Sequence, residues 1–144
     1  MPTKVTIRLM VTAVITAMFM GCATTPKGPT DEELIRSSLG QLKTGLESGN
    51  LDLIMSFFSE EFRDPDMRDK SGARREIDNY LKGGELRNAK VSLDTVTLAK
   101  IDETTYNVDG IKLTANFGSG TLGFTVKKEA DGTWRAVRIR FSEN

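Results

Sequence analysis

An α+β domain, with helices first and an antiparallel sheet second, is the fold class this sequence predicts. Three observations carry it. Apolar residues recur at helical spacing as far as Leu81, and from Ala89 onward they alternate in steps of two. Capping residues stand where each helical stretch begins and ends. In the second half the alternation slips in parity inside strands, and a slip implies a bulge that bends the strand. The expectation is three N-terminal helices packed on a strongly curved antiparallel sheet.

The first helix opens at Thr30-Asp31-Glu32-Glu33, which has capping-box spacing and acids in its first turn. Leu34/Ile35, Leu39, Leu42 and Leu46 share one face, and Gly49 is its stop. Asn50 caps a second, short helix with Leu51, Ile54, Phe57 and Phe58. A third begins after Ser71, turns Ala73, Ile77, Tyr80 and Leu81 to one side, and stops at Gly83-Gly84. Strand alternation then runs through Ala89/Val91/Leu93 and Val96/Leu98, with a slip at Asp94-Thr95. Tyr106/Val108 and Ile111/Leu113/Ala115/Phe117 are separated by a slip at Asp109-Gly110. Gly118-Ser119-Gly120 predicts a hairpin turn before Leu122/Phe124/Val126, and Ala130-Asp131-Gly132 predicts another before Trp134/Ala136. A last slip leads to Val137/Ile139/Phe141.

Composition narrows the chemistry. The 144 residues suit one domain, and 28% charged with 38% hydrophobic residues is a globular balance. Lys and Arg number 20, as do Asp and Glu, so no net field draws in nucleic acid, and no such partner is expected. Histidine is absent, which removes Ser-His-Asp and Cys-His nucleophilic systems, imidazole bases and the usual zinc sites. One cysteine allows no internal disulfide.

That cysteine lies in Ala17–Thr25, "AMFMGCATT". Lys4 and Arg8 precede an apolar run, Leu9–Met20, too short to span a bilayer, and together they read as a secretory signal. Phe19-Met20-Gly21-Cys22 resembles the lipobox of bacterial lipoproteins, in which the chain is cut before the cysteine and the new terminus is acylated. The resemblance implies residues 1–21 as signal peptide, Cys22 as the lipid attachment, and residues 22–30 as anchor and short tether. Ordinary secretion with cleavage after Ala23 is the other reading. Loss of residues 1–21 removes Lys4 and Arg8 and no acid, leaving 18 basic against 20 acidic groups, a net charge of −2. The eight residues Ala23–Thr30 reach about 26–29 Å when extended, so a domain over 31–144 would sit close to the membrane. Ala23 after the cysteine implies, in the lipoproteins it resembles, the outer membrane where the host has one.

"SGNLDLIMSFFSEEF", from Ser48 to Phe62, and the closing "DGTWRAVRIRFS", Asp131–Ser142, resemble the opening and final hairpin of nuclear transport factor 2-like domains. The likeness covers about residues 32–142. It implies a cystatin-like α+β cone with an apolar cavity between sheet and helices. The group includes ketosteroid isomerases, SnoaL-like polyketide cyclases, transport factors and domains with no activity.

Expected to line such a cavity are Phe57, Phe58, Tyr80, Tyr106, Leu113, Phe124 and Ile139. Enzymes of the resembled group use a cavity carboxylate, yet the inner strand positions supply none, and a general base must reach its proton. Asp94 is the remaining candidate, re-aimed by its bulge and helped by Tyr106 or Tyr80; the favoured reading makes it a solvent-facing residue at a bend, and the tyrosines core. The acidic stretch Ser59–Asp69 starts like a calcium loop at Asp64 and Asp66. It then fails at Arg68, Asp69 and Arg75, so neither metal nor cofactor is expected. Arg135, Arg138, Arg140, Lys127 and Lys128 form a small basic area. Arg138 and Arg140 share the outer face with Lys112, Thr114, Asn116, Thr121 and Thr125, too polar for an obligate dimer. That area suits anionic headgroups or plain solvent. The expected function is a lipid-anchored envelope protein binding an apolar ligand or a partner protein without catalysis, as a monomer or weak dimer; an isomerase or cyclase is the alternative.

Overall fold

A computed structural model describes residues 27–144. The predicted signal peptide, Cys22 and most of the tether lie outside the described residues, and 27–30 are exposed without regular structure. Three helices come first: α1 (Asp31–Ser48), α2 (Leu51–Ser56) and α3 (Lys70–Gly83). Thr30 forms the capping box with Glu33, Gly49 closes α1 in the left-handed region, and Asn50 accepts the Leu53 N–H to start α2. The third helix starts one residue before Ser71, because the Asp69 carboxylate accepts the Gly72 N–H at 2.9 Å and so fixes the cap there.

The strands are β1 (Lys90–Ser92), β2 (Thr97–Asp102), β3 (Thr105–Ala115), β4 (Gly118–Lys128) and β5 (Trp134–Glu143). All pairings are antiparallel: β1 and β2 lie end to end on one edge of β3, followed by β4 and then β5. The slip at Asp94-Thr95 is thus a break between two short strands rather than a bulge within one. The β3–β4 turn is Asn116-Phe117, since Ala115 pairs with Gly118; the predicted Gly118–Gly120 turn is displaced by two residues and those glycines are strand.

The other slips mark a bend line across the sheet. Asp109 and Gly110 together oppose Gly123, because Val108 pairs with Phe124 and Ile111 with Leu122. Val137 is the extra residue on β5, between Ala136↔Val126 and Arg138↔Thr125. At the bend Gly110 has φ +85°, a region costly for residues with a Cβ, and an added Cβ would collide with the Thr95 carbonyl oxygen. The Thr95 hydroxyl donates to the Gly110 carbonyl at 2.8 Å. On the outer face the Arg140 guanidinium lies over side-chain-free Gly123. It donates to Asp109 Oδ1 (2.8 Å), the Phe124 carbonyl (3.2 Å) and Thr125 Oγ1 (3.1 Å).

Neither sheet edge is left open where the helices reach it. On β1, the Val91 N–H donates to Glu47 Oε1 at 2.9 Å and Lys43 Nζ donates to the Val91 carbonyl, so α1 satisfies that strand's free backbone. The Val91 N–H, and after it Lys43, hold the Glu47 carboxyl below its ordinary range. On β5, the chain following α2 runs parallel to the strand: Ala136 N–H donates to the Phe57 carbonyl, Ser59 N–H to the Ala136 carbonyl and Arg63 N–H to the Val137 carbonyl.

Between these layers lies an aromatic core. The Phe124 ring meets Phe57 edge-on at 5.0 Å and Phe58 at 6.3 Å, and Phe58 meets Phe62 at 5.0 Å. At the closed end Trp134, 1% exposed, is met edge-on by Tyr106 at 5.3 Å. Its indole N–H donates to Asp31 Oδ1 (3.3 Å), which also accepts Lys128 Nζ (2.9 Å), tying the start of α1 to the last hairpin.

Gly110→Ala should lower stability by about 1–3 kcal/mol, read as a shifted urea midpoint at unchanged slope. A second expectation concerns acid. Lys128, and then the indole N–H, lower the Asp31 pKa in the folded state. Its stabilising contribution is therefore complete at neutral pH and is lost as pH falls through the folded-state value. Asp31→Asn should be less stable than the parent at neutral pH, with the gap closing in strong acid; a gap that stays constant across a urea titration series in pH would refute this linkage.

Candidate functional site

Because the sheet bends away beyond Gly110 and Gly123, its inner face and the three helices part at one end and enclose a cavity of about 290 Å³. The floor comes from all layers: Leu42 and Leu46 of α1, Ile54 of α2, Phe58 just after it, Ile77 of α3, Leu113, Leu122 and Phe124 of the sheet. These residues are buried, and none carries a charge. Helical spacing places Leu42 and Leu46 on one stripe, and strand alternation places Leu113, Leu122 and Phe124 on one face.

The rim is different. Tyr80 at 45% exposed, Phe117 at 37% and Phe141 at 47% stand half out of the molecule, and Phe117 meets Phe141 edge-on at 5.9 Å. Glu85, in the turn after α3, and Glu143, near the end of β5, complete it. Among the described residues they are the charged ones of the lining, and no described Lys or Arg belongs to it. Backbone hydrogen bonds fix this rim: Leu86 N–H donates to the Tyr80 carbonyl (3.3 Å) and Phe117 N–H to the Glu85 carbonyl (3.1 Å).

Phe58, Tyr80, Leu113, Phe124 and Ile139 line the cavity, Tyr80 only at the rim. Phe57 is buried against Phe124 behind the wall, and Tyr106 is packed on Trp134 at the filled end; neither lines it. Asp94 is exposed in the link between β1 and β2, where its N–H donates to Ser92 Oγ at 3.4 Å, and it too is outside the lining. Asp94, Tyr106 and Tyr80 are therefore not brought together as a catalytic group. Glu85 and Glu143 were not singled out from the sequence. Glu143 continues the Ile139/Phe141 alternation and was readable as inward-facing, whereas Glu85 sits in a turn with no period to betray it.

In the acidic stretch, Asp64 Oδ1 accepts the N–H groups of Asp66 (2.9 Å) and Met67 (3.0 Å), while Asp69 caps α3. Among the described residues no three acids or other ligating side chains converge as a metal site. The basic area is interrupted by carboxylates: Arg135 pairs with Glu129 at 2.6 Å, Lys127 with Glu61 and Lys128 with Asp31 at 2.9 Å, and Arg140 with Asp109 at 2.8 Å.

The chain matches no family model and no curated protein. It is similar in structure to a cystatin-like fold protein from Caulobacter vibrioides, with 12% identity and a TM-score of 0.64 over 78% of this chain and 88% of that one. An NTF2-like protein of unknown function from Shewanella oneidensis gives 15% identity and a TM-score of 0.63, over 79% of this chain and all of that one. A ketosteroid isomerase candidate from Shewanella frigidimarina gives 11% and 0.63, over 78% and 97%. With three helices on one antiparallel sheet and a cavity between them, the described chain has the nuclear transport factor 2-like, cystatin-like cone fold.

Floor and rim should respond differently to truncation. Phe58→Ala should cost about 3–5 kcal/mol, because it opens a hole among three other rings. Phe141→Ala at the half-exposed rim should cost about 1 kcal/mol or less. Paired urea denaturation curves check the contrast.

Proposed function

We propose that this domain binds a small apolar ligand without transforming it, and that acylated Cys22 holds it at the cell envelope, on the periplasmic face of the outer membrane where the host has one. The observation that carries the ligand half is the cavity floor: open space of about 290 Å³ walled by buried aliphatic and phenyl groups. That volume stands at the small end of ligand pockets, which run to roughly 300–1,000 Å³. Apolar surface left open inside a domain forgoes dispersion contacts and costs stability unless an occupant restores them. Support for the anchor comes from the sequence, where the lone cysteine follows an apolar segment with a basic start. Three acyl chains would exceed the two signals that stable membrane attachment requires.

N-Phenyl-1-naphthylamine, an apolar fluorophore, should bind with enhanced emission. Leu122→Trp, which pushes an indole into the floor, should weaken that binding by at least about tenfold while the protein stays folded by circular dichroism. Unchanged binding in the folded variant would sink the ligand reading. For the anchor, the intact mass of the membrane-bound protein should correspond to a chain beginning at Cys22 with diacylglyceryl and an amide-linked acyl group. A mature chain beginning at another residue and lacking acyl mass would refute it.

A further inference from the structure

Resting on the apolar-ligand reading above, we propose that the cavity selects ligands bearing a positively charged amine head on a short apolar body. The floor supplies the apolar half without discrimination; the rim supplies the choice. Two carboxylates, Glu85 and Glu143, and three half-exposed rings, Tyr80, Phe117 and Phe141, surround the opening. Among the described residues neither carboxylate has a cationic partner within 4 Å, whereas ten of the twenty acids do. Arg87, on the same turn as Glu85, lies against Gly84 and is not part of the lining.

The backbone of this rim is also held in place, and the Glu85 carboxylate lies over side-chain-free Gly83. Glu85 is tied through its carbonyl to the Phe117 N–H, and Phe117 rests on Phe141. Glu143 follows Phe141 by two residues on the same sheet face and pairs with Gly120 across the strand. A ligand whose tail reaches Leu113 and Phe124 brings its head to this rim. An ammonium there meets aromatic rings and two carboxylates, both of which attract a cation. A carboxylate or sulfate head meets two like charges with no Lys or Arg among the described lining residues to offset them. A neutral hydroxyl gains only the floor.

The test uses the full chain as purified, in lipid nanodiscs with empty discs as the blank if it carries acyl groups. Isothermal titration at low ionic strength compares octyltrimethylammonium, 1-octanol and octanoate, which share one tail and differ in head charge. The cation is expected to bind about tenfold tighter than the alcohol and octanoate weakest, with the cation's advantage shrinking as salt is added. In the Glu85→Gln/Glu143→Gln double variant, whose changes are confined to exposed side chains, the ratio of cation to alcohol affinity should fall to within about threefold of unity. Octanoate binding as tightly as the cation, or a double variant that keeps the full preference, overturns the proposal. If the alcohol binds and the cation has no advantage, this selectivity falls and the apolar-ligand reading stands. If none of the three binds, both fall.

Discussion

The bend at Asp109-Gly110 is the constraint from which the rest of this architecture follows. One extra residue on β3 must be accommodated opposite a single residue of β4, and that residue is Gly123. The doubled residue turns the strand, the left-handed Gly110 lets it turn sharply, and the missing side chain at Gly123 makes room for Asp109 and Arg140 to close the outer face. A sheet without that turn would lie against α1 along its whole length and bury its inner residues there. Bent, it is tied to α1 at Trp134 and again at β1, and departs from the helices at the Phe141 corner. The cavity is the volume of that departure.

Holding a bent sheet against helices demands that its edges be fixed from outside the sheet. Lys43 and Glu47 do this for β1 with side chains, whereas Phe57–Arg63 does it for β5 with backbone. The difference suits the two edges. A three-residue strand has one residue to satisfy, and an i,i+4 pair on a helix can do so. The longer β5 is followed by a stretch of chain in parallel up to its bulge at Val137. Both devices leave the buried part of the inner face to apolar packing, where four phenylalanines meet edge to face.

Much of this was legible in the sequence, for local reasons. Thr30, Asn50, Gly49 and Gly84 act at helix ends through bonds formed within a few residues, so their types alone place the ends. Parity slips at Asp109-Gly110 and Ala136-Val137 are likewise local, and they located the bulges. What could not be read was set by distant parts of the chain. The pair of glycines at 118 and 120 looks like a turn. Gly120, however, is needed in the strand because the Phe141 ring covers it, and the turn forms at Asn116-Phe117 instead. Alternation assigned Tyr106 correctly to the inner face but says nothing of depth along the cone, and at its depth Trp134 fills the space. Glu85 acquires a position only through the Phe117 backbone, thirty-odd residues away.

The stoppered end has a practical consequence of its own. This chain contains one tryptophan, and it sits in the plug rather than in the hollow. Its emission therefore reports whether the first helix and last hairpin remain joined, while an occupant that does not absorb where indole emits and enters from the opposite side leaves that light largely untouched. A single intrinsic lamp thus monitors integrity independently of occupancy, a separation that most pockets with an indole in their wall deny the spectroscopist.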